Sequence, residues 1–175
     1  MLSPVVQDAL NDQINTELYS SYNYLAMSAW CERQNFRGCA NWLLVQSQEE
    51  YAHAMKLYSF LVARNGKVVL KAIAPPQTDY ETIPQVFQEA LKQELDVSHR
   101  IDALYELAFR EKAFAALVEL QWFITEQVEE ERTSRDIVAK FELVKDDASA
   151  LLDMDRELGA RTLSANDTGV SKPPA

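Results

Sequence analysis

Helix breakers in this chain are confined to a few boundaries, and nothing else in the sequence constrains the fold as much. The glycines are Gly38, Gly66, Gly159 and Gly169, and the prolines are Pro4, Pro75, Pro76, Pro84, Pro173 and Pro174. Residues 5–37, 39–65 and 85–158 contain neither. Stretches of that length, bounded by capping and breaking residues, predict long helices. The first opens with Ser3 as N-cap and Pro4 in its first position, and runs to about Gln34. A short turn at 35–38 leads into a second helix that ends at Asn65-Gly66. Residues 67–82 form a long connection, where Pro75-Pro76 block a helix and residues 68–70 have the character of a short strand. Thr82 caps a third helix, with Pro84 in its first turn and Gln85 completing a capping box. The stretch 85–158 is too long for one helix of a compact domain, so it must turn without glycine or proline. A last, shorter helix closes at Leu158-Gly159. Short turns join antiparallel neighbours, and one long crossover lets two hairpins pack as a four-helix bundle. The expected architecture is all-α: a four-helix bundle with a short fifth helix over residues 1–163, then a flexible tail at 164–175.

A chain of 175 residues can bury a substantial core as one domain. Its formal net charge of −10 makes it a poor partner for nucleic acid and a better one for cations. The cysteines, Cys31 and Cys39, form no disulfide framework, which fits a reducing cytoplasm. The start, Met1-Leu2-Ser3-Pro4, lacks the basic residues and apolar run of a secretion signal, and no apolar stretch is long enough to span a membrane.

Core stripes follow a spacing of alternating three and four residues. They read Ile14, Glu17, Ser21, Tyr24, Ser28 on the first helix and Leu43, Gln46, Glu50, His53, Leu57, Phe60 on the second. On the third they read Phe87, Leu91, Glu94, Ser98, Ile101, Tyr105, and on the fourth Ala116, Leu120, Phe123, Gln127, Glu130, Ser134, Ile137, Phe141. The last three stripes are apolar near their ends and polar in the middle; the first is more polar throughout. Heights agree across each hairpin. Glu17 and His53 lie 18 residues either side of position 35, at the predicted first turn. Glu94 and Glu130 lie 18 residues either side of 112, where Arg110-Glu111-Lys112 interrupt the apolar pattern. The polar side chains of all four helices can therefore meet at one level. Buried carboxylates without positive charge are costly, and no Lys or Arg falls on these stripes. Two divalent cations would neutralise four carboxylates. Oxygen donors with one imidazole suit iron or manganese, with zinc possible.

The constellation resembles the ferritin-like di-iron carboxylate proteins, in which two helices each give a Glu and two give a Glu-x-x-His. Here Glu50-x-x-His53 matches one such motif, Glu17 and Glu94 are the lone glutamates, and Gln127-x-x-Glu130 stands in place of the second. That replacement looks like a non-haem bacterial ferritin. The segments LNDQINTELYSSYNYLAM, SQEEYAHAM and WFITEQVEEE are similar to ferritin helices, and the resemblance covers residues 4–158. It implies a ferritin-like fold and a cytoplasmic cage of twenty-four subunits. It also implies a ferroxidase activity: oxidation of Fe(II) by dioxygen or hydrogen peroxide at a buried di-iron centre, and storage of the ferric product. One iron would bind Glu17, Glu50 and His53; the second would bind Glu50, Glu94 and Glu130, with Gln127 beside it. Tyr24 matches the family's tyrosine near the site, and Glu49, Glu126 and Glu129 match an additional iron site toward the cage interior. Tyr51 stands where a haem-ligating methionine would be, so haem is not expected. Ala52 and Met55 weaken an acidic cavity patch, and Leu117 and Leu120 replace an acidic channel, leaving Glu119 as the nearest channel carboxylate. Two other readings stay open: a ferritin-like peroxidase or oxygenase without storage, and a non-enzymatic helical assembly protein.

Overall fold

The computed structural model describes residues 2–145 and 147–163; the tail expected from residue 164 lies outside them. The chain forms α1 (Pro4–Arg33), α2 (Arg37–Ala63), α3 (Ile83–Arg110), α4 (Phe114–Val144) and α5 (Ala148–Leu158). The long helices pair as two hairpins, α1 with α2 and α3 with α4, and α5 packs mainly on α2. Small polar residues bring α1 and α2 close together. Ser21 Oγ donates to the Ser47 carbonyl and Ser47 Oγ donates to the Ser21 carbonyl, both at 2.7 Å, and Ser28 Oγ reaches the Ala40 carbonyl at 2.8 Å.

The crossover runs the length of α1. Near its start, Asn11 Nδ2 donates to the Lys67 carbonyl (2.9 Å) and Asn11 Oδ1 accepts from the Val69 amide (2.7 Å). Near its end, Arg33 Nη2 reaches the Thr78 carbonyl at 3.3 Å, and Tyr80 packs edge-on against Trp30. From Asn11 to Arg33 the helix rises about 33 Å, and the extended chain from Lys67 to Thr78 can span it. Third and first helices are therefore antiparallel neighbours, joined by Asn23 Nδ2 donating to Gln93 Oε1 at 2.7 Å. Residues 68–70 are not a strand; the Val69 amide donates to the Asn11 side chain of α1 rather than to a partner strand.

Several boundaries have causes other than those the sequence suggested. The α1–α2 turn is made by Asn35 at φ 65°, a residue that tolerates the left-handed region. Gly38 sits inside α2, and its role is contact: a Cβ there would fall 1.6 Å from the carbonyl oxygen of Asp155 in α5. The break near 112 is made by Lys112 at φ 55°, and the α4–α5 break carries Lys145 at φ 48°. Ser3 makes no side-chain cap. Thr82 Oγ1 accepts from the Gln85 amide at 3.3 Å, but Gln85 returns its bond to Glu81 rather than Thr82. Asp147 caps α5 through the amides of Ser149 and Ala150.

Apolar side chains form two separate clusters. One gathers Tyr24, Met27, Trp42, Leu43, Phe87, Ile137 and Phe141, with Met154 and Leu158 of α5. The other gathers Val6, Leu10, Ile14, Leu57, Leu61, Ile101, Leu104, Leu120 and Phe123. The two clusters share no residue. Glu17, Glu50, His53, Glu94, Gln127 and Glu130 are buried, yet belong to neither.

Candidate metal centre

Each helix of the bundle brings a buried carboxylate to this layer: Glu17 from α1, Glu50 from α2, Glu94 from α3 and Glu130 from α4. Helical spacing does the placing, since each occupies a stripe position that elsewhere holds leucine or phenylalanine. Glu50 and His53 are one turn apart and face the same way, with His53 Nδ1 3.7 Å from Glu50 Oε2. Glu17, Glu50 and His53 each offer a ligand atom, and these atoms lie within 4.8 Å of one another. Glu94 and Glu130 stand outside that tight group. The Tyr24 hydroxyl donates to Glu94 Oε1 in a short hydrogen bond. Gln127 Nε2 lies 3.2 Å from the Glu94 carbonyl, 3.2 Å from Ser98 Oγ and 3.4 Å from Glu94 Oε2.

Two further amides serve the layer, and neither was expected from the sequence. Gln13 Nε2 donates to Glu17 Oε1 at 2.9 Å, and Gln46 Nε2 donates to Glu130 Oε2 at 3.0 Å. The available signal was positional: each precedes a candidate glutamate of its own helix by four residues, and so shares its face. His53 is flanked edge-on by Trp122 at 5.2 Å and Phe123 at 6.1 Å, which limits the orientations of its ring.

Of these carboxylates, Glu17 and Glu50 are poorly satisfied by protein alone. Both oxygens of Glu50, and Oε2 of Glu17, are buried without a hydrogen-bond donor. Burial first, then the charges of Glu17 and Glu130, pushes the Glu50 carboxyl well above its ordinary range. The Glu94 carboxyl is pushed up by burial and then by Glu50 and Glu130, against the opposing hydrogen bonds from Tyr24 and Gln127. Burial, reinforced by the charge of Glu94, also raises the Tyr24 phenol. Orphaned, mutually repelling oxygens beside an imidazole make a donor set that divalent cations would complete. The expected additional site looks different. Glu49 is fully buried and ion-paired to Arg161, whereas Glu126 is half-buried and Glu129 exposed. No sequence pattern announced Arg161, which lies beyond the last helix.

Comparison with known proteins gives an independent line. Residues 7–144 match the ferritin family, described as a ferritin-like domain. The bacterial non-heme ferritin of Staphylococcus aureus (strain USA300) is 36% identical over 162 residues, 93% of this chain and 98% of that protein. The bacterial non-heme ferritin of Staphylococcus saprophyticus is 35% identical over 167 residues, 95% of this chain and all of that protein. Among solved structures, an engineered closed form of the Archaeoglobus fulgidus ferritin superposes with a TM-score of 0.92 at 41% identity, covering 94% of this chain and 100% of that one. An open-pore ferritin from the same archaeon gives 0.91 at 41% identity, covering 93% and 100%.

Proposed function

The chain belongs to the ferritin family, and from that premise we propose that it stores iron, oxidising Fe(II) at the buried carboxylate layer before depositing the ferric product. The observation that carries this reading is the set of orphaned oxygens on Glu17 and Glu50, buried between two apolar clusters where leucine would otherwise pack. Such an arrangement costs several kcal/mol unless cations complete it, so its presence argues for a site that takes metal.

Iron is the substrate here. Glu17, Glu50 and His53 hold one Fe(II); Glu94 and Glu130 hold a second, with Glu50 near enough to both carboxylates to feel their charge. Each Fe(II) gives up one electron. Dioxygen takes the two electrons with two protons and leaves as hydrogen peroxide; hydrogen peroxide as oxidant takes the same two and leaves as water. The protein's part is to hold the pair in register. Gln46 and Gln13 orient Glu130 and Glu17, while Tyr24 Oη and, more distantly, Gln127 Nε2 donate to the Glu94 carboxylate. Protons held on Glu50 and Glu94 before loading leave when iron binds. Tyr24, hydrogen-bonded to a ligand, is placed to influence electron transfer as well. Gln127 is a neutral, weak donor, so once oxidised the second iron leaves the more readily of the two, which suits a metal that must move on to a store.

A cage of about twenty-four subunits in the cytoplasm completes the proposal. Phe109, Phe114, Val118 and Val128 each expose more than 60% of their surface, apolar area that contacts between subunits would cover. Among the described residues no helix is long and apolar enough to cross a membrane. Two measurements test the reading together. Anaerobic loading with Fe(II), followed by dioxygen, should consume one O2 per two irons in a fast phase and leave soluble ferric iron in a large assembly on size exclusion. A small oligomer that precipitates its ferric product would point instead to a di-iron enzyme without storage.

A further inference from the structure

Arg161 follows α5 by three residues and turns back against the bundle. Its Nη2 lies 2.5 Å from Glu49 Oε2, and its guanidinium carbon lies 4.6 Å from the centre of the Trp42 ring. The position is built. Asn41 Nδ2 donates to the carbonyls of Gly159 (3.3 Å) and Arg161 (3.0 Å), fixing the backbone on either side of the turn. Asp155 Oδ1 accepts from the Cys39 amide at 2.8 Å, and Gly38 and Gly159 allow α5 to approach α2 closely. The Arg161 side chain retains 21% exposure, while that of Glu49 has none. A planar guanidinium stacked on an indole and paired with a buried carboxylate is a strong, directional arrangement.

Glu49 is the one deeply buried member of the trio that the resemblance assigned to an additional iron. In this chain its charge is already met by a cation that the protein supplies. A divalent ion arriving there would have to share Glu49 with a guanidinium of like charge, or expel it and break the seat on Trp42. Glu126 and Glu129, half-buried and exposed, offer less to offset that. We propose that Arg161 is the resident counter-cation of Glu49 and limits each subunit to two tightly bound divalent ions, its tethered guanidinium standing in for a third. This rests on reading the Glu17–Glu50–His53–Glu94–Glu130 layer as a two-metal site.

The test is anaerobic calorimetric titration of chelator-treated, assembled protein with Fe(II), repeated with Zn(II). Wild type should bind two ions per subunit tightly. Arg161→Leu, which keeps apolar contact with Trp42 and removes the charge, should bind three. Adding Glu49→Gln to Arg161→Leu should return the count to two, and Arg161→Lys, still cationic, should stay at two. Three tight ions in wild type, or two in a folded Arg161→Leu, would overturn the proposal. If Arg161→Leu loses α5 and cannot assemble, the wild-type and Arg161→Lys counts still decide: a third tight ion in either refutes it. Retention of both tight ions in Glu50→Ala would instead refute the two-metal reading underneath, by a route that does not involve Arg161.

Discussion

At Glu50, burial and like charge act in the same direction. Both raise the carboxyl above its ordinary 4.5, and the same holds for Glu94. A carboxyl whose pKa is raised by folding contributes most to stability while it is protonated, and that contribution is lost as pH rises toward the folded pKa. Metal-free protein should therefore melt at progressively lower temperature as pH rises above about 4.5 toward neutrality. Zn(II) should reverse the trend, because metal binds the ionised carboxylates and stabilises by mass action. Calorimetry across pH with chelator and with Zn(II) checks both slopes; identical slopes would count against a buried metal site. Tyr24 separates binding from electron supply. Tyr24→Phe keeps the ring and removes the donor to Glu94, at a stability cost of about 1–3 kcal/mol for a buried hydrogen bond to a carboxylate. Iron stoichiometry should persist, while the formation or decay of the oxidised intermediate, followed by stopped-flow absorbance, changes. If every kinetic phase matches wild type, Tyr24 serves packing alone.

At the scale of helices, the chain ends α3 and α4 on lysines rather than glycine, with Lys112 and Lys145 held at positive φ. An L-residue there is strained by about 1–2 kcal/mol relative to glycine, partly offset by the greater unfolded-state freedom of glycine. Lys112→Gly should stabilise the protein by about 0.5–1 kcal/mol, or ~1–4 °C for a domain of this size. Lys112→Val should destabilise it by at least as much, and thermal melts of the two variants give the comparison. The same turn shows what a sequence does and does not reveal. Its location near 112 was legible because equal heights of Glu94 and Glu130 require it, even with no breaker present. Gly38 was misread as a turn residue, because a glycine needed for close approach to Asp155 looks the same as one needed for positive φ. The strand at 68–70 failed for a related reason: the Val69 amide is taken by Asn11 of α1, and local propensity cannot name the partner.

Across the whole molecule, the bundle is two apolar clusters with a charged layer between them, so its stability is tied to what fills that layer. The layer was legible because helical periodicity places polar residues at core positions, and hairpin symmetry sets their heights. Of the supporting amides, Gln46 stood on a core stripe and Gln13 did not, and neither was visible as a partner. Arg161 was hidden, since its role depends on how α5 docks on α2, which no periodicity encodes. The central claim is that the layer oxidises iron as a pair, with Glu50 serving both metals. Its most direct test is stopped-flow oxidation of protein loaded anaerobically with two Fe(II) per subunit, in wild type and in Glu50→Ala confirmed to be assembled by size exclusion. Wild type should show a fast absorbance phase on meeting dioxygen, and Glu50→Ala should lose it by at least about a hundredfold in rate, an effect of ~2.7 kcal/mol or more on the barrier. A fast phase of wild-type rate and amplitude in assembled Glu50→Ala would contradict the account.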